Sequence, residues 1–196
     1  IVVGQWIKLI YTKIIDGLDK KEFFYDAKKA EKAILFIENY CHHNEGSSAK
    51  LKLELWQKAL ISLIFGIVDS DGYRHFREIF IVMARKQGKT LLASAISAYM
   101  LYLDDYGGRI YFCAPKLLQA DKCYTALQDM IALEPELQAL TKKRRTDLYV
   151  AETNSTAQPL AFNAKKSDGL NPTCVIADEI GSGWIGDAGI KQYNVL

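Results

Sequence analysis

Apolar residues recur at the three-to-four-residue spacing of amphipathic helices through the first third of the chain. In residues 1–16 the apolar positions include Trp6 and Ile14. Asp26 precedes the next run of this kind and provides an N-cap for it. Helices are therefore predicted over residues 1–16, 27–40 and 54–65.

From residue 76 onward the pattern changes to short runs of β-branched or aromatic residues. Strands are predicted over residues 79–84, 109–114, 148–151, 160–164 and 173–178. Helices are predicted between the earlier strands, over residues 91–103 and 116–133. This alternation predicts an α/β fold with a largely parallel sheet flanked by helices and right-handed crossovers. The polar stretch 42–50 divides it from a helical N-terminal region, which gives regions 1–50 and 51–196.

The run IFIVMARKQGKT at residues 79–90 places a strand, a loop and a helix in the order that binds triphosphates. Backbone N–H groups at the helix N-terminus would face the anion, Lys89 would reach the β- and γ-phosphates, and the Thr90 hydroxyl would ligate Mg²⁺. The loop is unusual because Met83 stands where the motif has its first glycine. We expect ATP to bind here through Ala84, Arg85, Lys86, Gln87, Gly88, Lys89 and Thr90.

The run TCVIADE at residues 173–179 is a buried strand that ends in two carboxylates. Ionised carboxylates near a protein interior need a paired charge or a metal. In P-loop ATPases the first carboxylate holds the Mg²⁺ shell and the second polarises the attacking water. Asp178 is therefore predicted to ligate the metal together with Thr90, and Glu179 to be catalytic. The alternative is an ordinary surface turn after a strand.

Composition narrows the class of protein only slightly. The chain has 196 residues and a net charge of +2, which is too mild to indicate nucleic-acid binding by itself. Its 4 cysteines show no metal-ligand spacing, although Cys41 beside His42 and His43 leaves a weak alternative of a metal site. No apolar run is long enough to span a bilayer. The absence of an initiator Met indicates a fragment or an incomplete chain.

Five segments in this order resemble the N-terminal ATPase part of the large terminase subunit of tailed bacteriophages. They are FYDAKKAEKAILFIENYCHH, LELWQKALISLIFG, HFREIFIVMARKQGKTLLASAISAYML, GGRIYFCAPKLLQADKCY and SDGLNPTCVIADEI. The resemblance implies ATP hydrolysis that powers the packaging of double-stranded DNA into proheads, with Mg²⁺ as cofactor. It also implies a portal protein and a small terminase subunit as partners, a ring of subunits, and the cytoplasm of a bacterial host.

The resemblance assigns roles to further residues. Arg85 would contact the triphosphate, since terminases often carry a basic residue in a loop that lacks the first glycine. A guanidinium can bind phosphate oxygens in a bidentate manner, whereas Lys89 acts as a compact charge. Trp56 and Gln57 resemble the adenine-recognition motif, because a Gln amide can read the adenine edge. The alternative is a helix with Trp56 in the core and Gln57 in solvent.

Two basic segments are candidate DNA contacts. The segment after the second strand offers Lys116, Gln119 and Lys122. The run Lys142-Lys143-Arg144-Arg145 could touch DNA phosphates or hold an arginine finger that acts on a neighbouring subunit. For both segments the alternative is a solvated surface, and for the basic run this alternative is a solvated loop.

Nothing in the sequence corresponds to the C-terminal nuclease of large terminases, so nuclease activity is not expected from this chain. The segment after Glu179 is also atypical, with Gly181, Ser182, Gly183 and Trp184 in place of a His-containing stretch. Two rival functions stay open: a helicase-like DNA-remodelling ATPase, and a degenerate assembly module that does not hydrolyse ATP.

Overall fold

The computed structural model describes residues 4–43, 46, 48–104, 106–160, 163, 167, 169–180, 184 and 186–196. The chain divides into two compact units. The first comprises Ile1–Phe36 and Lys52–Val82, and the second comprises Ile37–Leu51 and Met83–Leu196. Each unit contains residues from before and after residue 50. The division into regions 1–50 and 51–196 stays a prediction.

The first unit is built mainly from helices and a short antiparallel ribbon. Its elements are α1 (Gln5–Asp19), β1 (Phe24–Tyr25), α2 (Ala27–Tyr40), α3 (Leu55–Gly66) and β2 (Ile67–Val68), the last turn of α2 belonging to the second unit. The three helices predicted from the apolar spacing are thus present.

Asp26 connects the ribbon of the first unit to α2. Its Oδ1 accepts hydrogen bonds from the backbone N–H groups of Lys28 at 3.0 Å and Lys29 at 3.1 Å, as an N-cap should. Its own N–H donates to the carbonyl of Gly66 at 2.7 Å. The predicted cap is confirmed, and it also ties the start of α2 to the end of α3.

A small apolar cluster holds the rest of the first unit together. Ile14, Phe23 and Ile67 are buried against one another, so α1, the ribbon and the residues between them share one core. Gly17 leaves room for the Phe23 ring, because a Cβ at that position would collide with it. Burial of such side chains contributes about 1.5–3 kcal/mol each.

The second unit contains a five-stranded sheet with the order β4-β5-β6-β3-β7. Its elements are α4 (Lys89–Tyr99), a π-helical turn (Met100–Asp104), β3 (Arg109–Cys113), α5 (Leu117–Leu133), α6 (Pro135–Leu140), β4 (Thr141–Lys143), β5 (Leu148–Val150), β6 (Ser155–Leu160), β7 (Cys174–Ala177) and α7 (Asp187–Asn194). No helix in the described ranges is long and apolar enough to cross a membrane.

Strand β3 is the centre of this sheet. It pairs in parallel with β6 on one side and with β7 on the other, whereas β4, β5 and β6 pair in antiparallel fashion. Ile110 and Phe112 are fully buried on β3, and the Phe112 ring packs 5.9 Å from that of Tyr124 on α5. The predicted α/β fold class is confirmed, and its parallel part brings the carboxyl ends of β3 and β7 to one edge.

One predicted strand is wrong, and a second lies earlier in the sequence than predicted. Residues 79–84 form no strand, and Phe80 and Val82 are 72% and 82% exposed. Apolar, β-branched composition indicates a fit to a pleated surface, but a strand also needs a partner, and no described strand pairs with this run. The strand predicted over residues 160–164 instead occupies Ser155–Leu160, where the register with β3 overrides a polar sequence that includes Pro159. Residues 161, 162 and 164 lie outside the described ranges.

His42 is a structural residue in the second unit. Its Nε2 lies 2.9 Å from Glu134 Oε2, and its Nδ1 lies 2.7 Å from the carbonyl oxygen of Ser48. Lys50 Nζ lies 3.7 Å from the same Glu134 oxygen. Burial raises the pKa of Glu134, but the His42 hydrogen bond and the charges of Lys50 and His42 outweigh it, so the net pKa is lowered. The His42–Glu134 contact holds the segment after α2 against the junction of α5 and α6.

Replacing Glu134 with Gln is expected to lower the free energy of unfolding by about 1–3 kcal/mol at neutral pH, because a buried charge-assisted hydrogen bond is lost. The folded pKa of Glu134 lies below its usual value of about 4.3, so this stabilisation is present above that pH and is lost as the pH falls through the folded pKa. Urea unfolding of the chain and of Glu134→Gln should therefore converge as the pH falls through the lowered pKa of Glu134. The exposed neighbour Glu136→Gln is the matched control, and a difference that does not change with pH would contradict the ionic assignment.

Candidate active site

The loop before α4 ends in a left-handed turn that exposes the start of the helix. Gly88 is the N-cap of α4 with φ 75° and ψ 21°, and no side chain caps the helix there. Lys86 also has a positive φ, of 61°. The first N–H groups of a helix have no partner within it, and its dipole favours an anion at this end. Residues 84–88 are exposed, so this helix end is accessible to a ligand.

The backbone conformation at Met83 is one that a residue other than glycine can adopt. Lys86 and Gly88 have a positive φ, whereas Met83 does not. Glycine is required only where the backbone is left-handed or where another chain comes close. The left-handed positions of this loop therefore lie further along, and a side chain is tolerated at position 83.

An ion pair joins α4 to the carboxyl end of β7. Lys89 Nζ lies 2.8 Å from Asp178 Oδ1. Asp178 follows directly after β7, and its N–H donates to the carbonyl of Cys113 at the end of β3, at 3.0 Å. The structure thus brings together the lysine and the carboxylate that were predicted from separate sequence motifs.

The charges in this pair shift the ionisation of their neighbours. The hydrogen bond to Asp178 raises the pKa of Lys89; burial opposes this rise, and the charges of Asp178 and Glu179 add to it. The thiol of Cys123 lies beside the same carboxylate. Burial first, and then the charge of Asp178, raise the pKa of Cys123 to about 12. The site therefore holds a charged ammonium and a protonated thiol at neutral pH.

Glu179 occupies an uncommon backbone conformation. Its φ is 58°, which is left-handed, and its N–H donates to Asp178 Oδ1 at 2.9 Å. For a residue other than glycine such a conformation costs roughly 1–2 kcal/mol, and residues of this kind cluster at functional sites. The turn places the exposed Glu179 immediately beside the Lys89–Asp178 pair.

Thr90 follows Lys89 in the first turn of α4, and a hydrogen bond from its side chain lowers the pKa of the Cys123 thiol, against the larger effect of burial. Trp56 and Gln57 lie in the first turn of α3, in the first unit. Gln57 Oε1 accepts a hydrogen bond from the Glu54 N–H at 2.8 Å and completes a capping box. Trp56 is exposed, so the alternative that buried it in the core is wrong. Neither observation tests adenine recognition, which stays a prediction.

Two residues at the site were not identified as functional from the sequence. Cys123 Sγ lies 3.8 Å from Asp178 Oδ2. The indole Nε1 of Trp184 donates to the Asp178 carbonyl at 3.0 Å. Because the N–H of a buried Trp normally has a hydrogen-bond acceptor, the presence of Trp184 in the sequence indicates that some acceptor exists. No feature of the sequence identifies Asp178 as that partner, because the contact depends on how the chain turns after β7.

The basic run forms part of a β-hairpin. Lys142 and Lys143 lie in β4, so the alternative that placed the run in a loop is wrong for these two residues. Arg144 binds the Asp147 carboxylate through Nε at 2.7 Å and a second nitrogen at 2.8 Å, and it stacks 4.2 Å above the Tyr149 ring. These contacts of the Arg144 guanidinium therefore lie within its own hairpin.

Other candidate DNA contacts lie at the start of α5. Lys116 precedes the helix and Lys122 is on it, and both are exposed. The side chain of Gln119 lies outside the described part of the chain. Contact with nucleic acid stays a prediction for these positions.

The donor set of the site fits a metal that arrives with a triphosphate. Mg²⁺ is usually held by one or two carboxylates together with substrate phosphates and water. Here Asp178 offers a carboxylate and Thr90 a hydroxyl, both near the Cys123 thiol. Within the described residues, no group of three or more His, Cys, Asp or Glu side chains could hold a metal ion. The Asp178 carboxylate and the Thr90 hydroxyl suit Mg²⁺ that is bound jointly by protein and nucleotide.

Comparison with known proteins adds a family and a fold. A family model described as the terminase large subunit, ATPase domain, matches residues 55–188. The chain is similar to the crystal structure of the HK97 bacteriophage large terminase, with a TM-score of 0.71 and 25% sequence identity. The similarity covers 85% of this chain and 35% of that terminase, so the chain spans about a third of its length. No curated protein matches the sequence significantly.

The Lys89–Asp178 contact predicts the reactivity of the lysine. Asp178→Asn should move the midpoint of Lys89 acetylation to lower pH, because the hydrogen bond and charge that raise its pKa are weakened. Brief acetylation over a pH series, read by mass spectrometry, measures this midpoint, with Lys86 in the same loop as the internal reference. An unchanged midpoint in Asp178→Asn would show that the ion pair does not form in solution.

Proposed function

The chain belongs to the family of terminase large-subunit ATPase domains, and we propose that it hydrolyses ATP to drive double-stranded DNA into a phage prohead. The observation that carries the proposal is the 2.8 Å contact between Lys89 and Asp178, because it unites the phosphate-loop lysine with the carboxylate at the strand end. The family and the fold confirm the resemblance drawn from the sequence. The activity, the site roles and the partners are proposals.

In the proposed site, the exposed loop and the start of α4 bind the triphosphate. The uncapped N–H groups of α4 donate to phosphate oxygens. Lys89 leaves Asp178 for the β- and γ-phosphates, a partner of higher charge. Arg85, exposed on the loop, contacts the charge that develops on the γ-phosphoryl group. Lysine and arginine thus act as catalytic residues by electrostatic stabilisation.

Thr90 and Asp178 would hold Mg²⁺ in this site. When bound, the ion neutralises charge on the β- and γ-phosphate oxygens. The transfer of Lys89 to phosphate releases Asp178 Oδ1 from its ion pair, so a carboxylate oxygen becomes available only when nucleotide is present. This exchange links the binding of substrate to the assembly of the site.

Glu179 is the proposed catalytic base. It orients the attacking water and accepts its proton, as a carboxylate next to the γ-phosphate can. Its left-handed backbone and the hydrogen bond from its N–H to Asp178 Oδ1 fix where the side chain begins. The strain is consistent with a residue that is held in place for chemistry.

The proposed partners follow from the family rather than from the geometry. They are double-stranded DNA, a portal protein and a small terminase subunit, with a ring of terminase subunits in the cytoplasm of the bacterial host. Since the chain spans 35% of the HK97 terminase, the activities of a whole terminase are proposals for it. Cleavage of DNA is not part of this proposal.

ATP turnover by the purified chain, with and without double-stranded DNA, tests the function. Glu179→Gln is expected to bind ATP with near-normal affinity and to lower kcat by about 10²–10⁴-fold, because the amide cannot accept the proton from water. Lys89→Ala is expected to abolish nucleotide binding, since the phosphate charge loses its main cation. Normal turnover in Glu179→Gln would remove that residue from the mechanism.

The same experiment separates the rival functions. Turnover that is lost in Lys89→Ala supports an ATPase, and strand separation of a forked duplex would favour the helicase-like alternative. Binding of ATP without turnover means that other subunits or further residues complete the site. Absence of ATP binding favours the assembly module that does not hydrolyse ATP.

Adenine recognition by Gln57 needs a variant that keeps the helix cap. Gln57→Glu retains an oxygen for the capping box but loses the amide donors that would read adenine. The Gln57→Glu variant should therefore unfold at a similar temperature to the original chain. Its ratio of affinity for ATP to affinity for GTP should fall by about tenfold. Nucleotide-binding titrations measure the preference, and Leu55→Ala, at an exposed residue in the same turn of α3, serves as the neighbouring control. An unchanged preference in Gln57→Glu would leave this residue as a cap alone.

A further inference from the structure

Cys123 lies where the two halves of the proposed site meet. It is on α5 and only 2% exposed. Its Sγ is 3.8 Å from Asp178 Oδ2. A thiol can donate one weak hydrogen bond and accept another. Cys123 therefore has the geometry to donate a hydrogen bond from α5 to the carboxylate after β7.

The two oxygens of Asp178 have different donors. Oδ1 accepts from Lys89 Nζ at 2.8 Å and from the Glu179 N–H at 2.9 Å. For Oδ2, the donor in the described part of the chain is the Cys123 thiol. An ionised carboxylate only accepts hydrogen bonds, so donors on both oxygens fix the plane of the group. The thiol is the contact that defines the Oδ2 side.

Cys123 is itself held in position by α4. The hydroxyl of Ser94, which is fully buried, lies 3.1 Å from the carbonyl oxygen of Cys123 and 2.9 Å from that of Thr90. A Ser hydroxyl has one proton, so it is shared between, or alternates between, these two carbonyls. The backbone of α5 is thus fixed against the same turn of α4 that begins with Lys89 and Thr90.

We propose that Cys123 is a positioning residue, whose thiol holds the Asp178 carboxylate so that Oδ1 stays directed at the phosphate-loop end of α4. This inference rests on the proposed function, in which Asp178 and Thr90 hold Mg²⁺. When Lys89 transfers to the triphosphate, Asp178 keeps the thiol on Oδ2 and the Glu179 N–H on Oδ1. The carboxylate then retains its orientation at the moment when its ion pair is broken.

Vibrational spectroscopy tests the hydrogen bond without requiring catalysis. The S–H stretching band of Cys123 is isolated as the difference between Raman spectra of the chain and of Cys123→Ala. Donation to a carboxylate lowers this frequency, so Asp178→Ala should move the band towards that of a free thiol. The band of Cys41, a fully buried thiol at the end of α2, is the reference and should not move. A Cys123 band that is unaffected by Asp178→Ala overturns the proposal.

Kinetics then test whether the hydrogen bond positions the carboxylate. Cys123→Ala is expected to lower kcat and to raise the Mg²⁺ concentration for half-maximal turnover, each by about threefold to tenfold. The KM for ATP should change less than kcat, because the thiol acts on the Asp178 carboxylate and not on the phosphate-binding cations Lys89 and Arg85. Cys123→Ser keeps a donor and should recover most of the loss, whereas Cys41→Ala, at another buried thiol, should leave kcat unchanged.

The outcomes separate this proposal from the proposed function. Equal losses in Cys123→Ala and Cys123→Ser, matched by equal losses of thermal stability, would mean that Cys123 only packs and would overturn the positioning role. If the original chain neither binds nor hydrolyses ATP, the proposed function fails, and the shift of the S–H band still decides whether Cys123 holds Asp178.

Discussion

The ion pair between Lys89 and Asp178 is the contact on which the candidate site depends. It joins the first residue of α4 to the residue that follows β7, and so it fixes the phosphate loop against the edge of the sheet. Side chains of both charges that are partly removed from water need a partner. In the absence of nucleotide each supplies the other's partner, and a triphosphate can replace the carboxylate because it offers the lysine more negative charge.

Asp178 is held by contacts from several directions, and this is possible because β7 and β3 are parallel. Their carboxyl ends lie together, which lets the backbone of Asp178 bond to Cys113 while its side chain meets α4 and α5. Ligands in open α/β sheets lie at this edge for the same reason. Trp184 adds a hydrogen bond to the Asp178 carbonyl, and the left-handed Glu179 turns the chain away from the strand.

Local signals predicted the elements whose own sequences carry a clear apolar pattern. The helices α2 and α5, the buried strand β3 and the half-buried strand β7 follow from apolar spacing, capping and β-branched composition. The failures have one physical cause. Residues 79–84 look like a strand but pair with no described strand, whereas β6 has a polar sequence with a proline and is a strand because β3 and β5 pair with it. Pairing between strands is a property of two segments, and neither sequence alone contains it.

By itself, the sequence determined the family, the α/β class and the residue types of the site: a lysine and a hydroxyl after a glycine, and two carboxylates after a strand. These follow from short motifs, in which neighbouring residues carry one piece of chemistry. Only the tertiary structure decided which groups surround Asp178. Cys123, Ser94 and Trp184 lie far from one another along the chain or carry no motif, and they meet because α4, α5 and β7 pack around one edge of the sheet. Contacts of this kind depend on distances in space, which the order of residues does not specify.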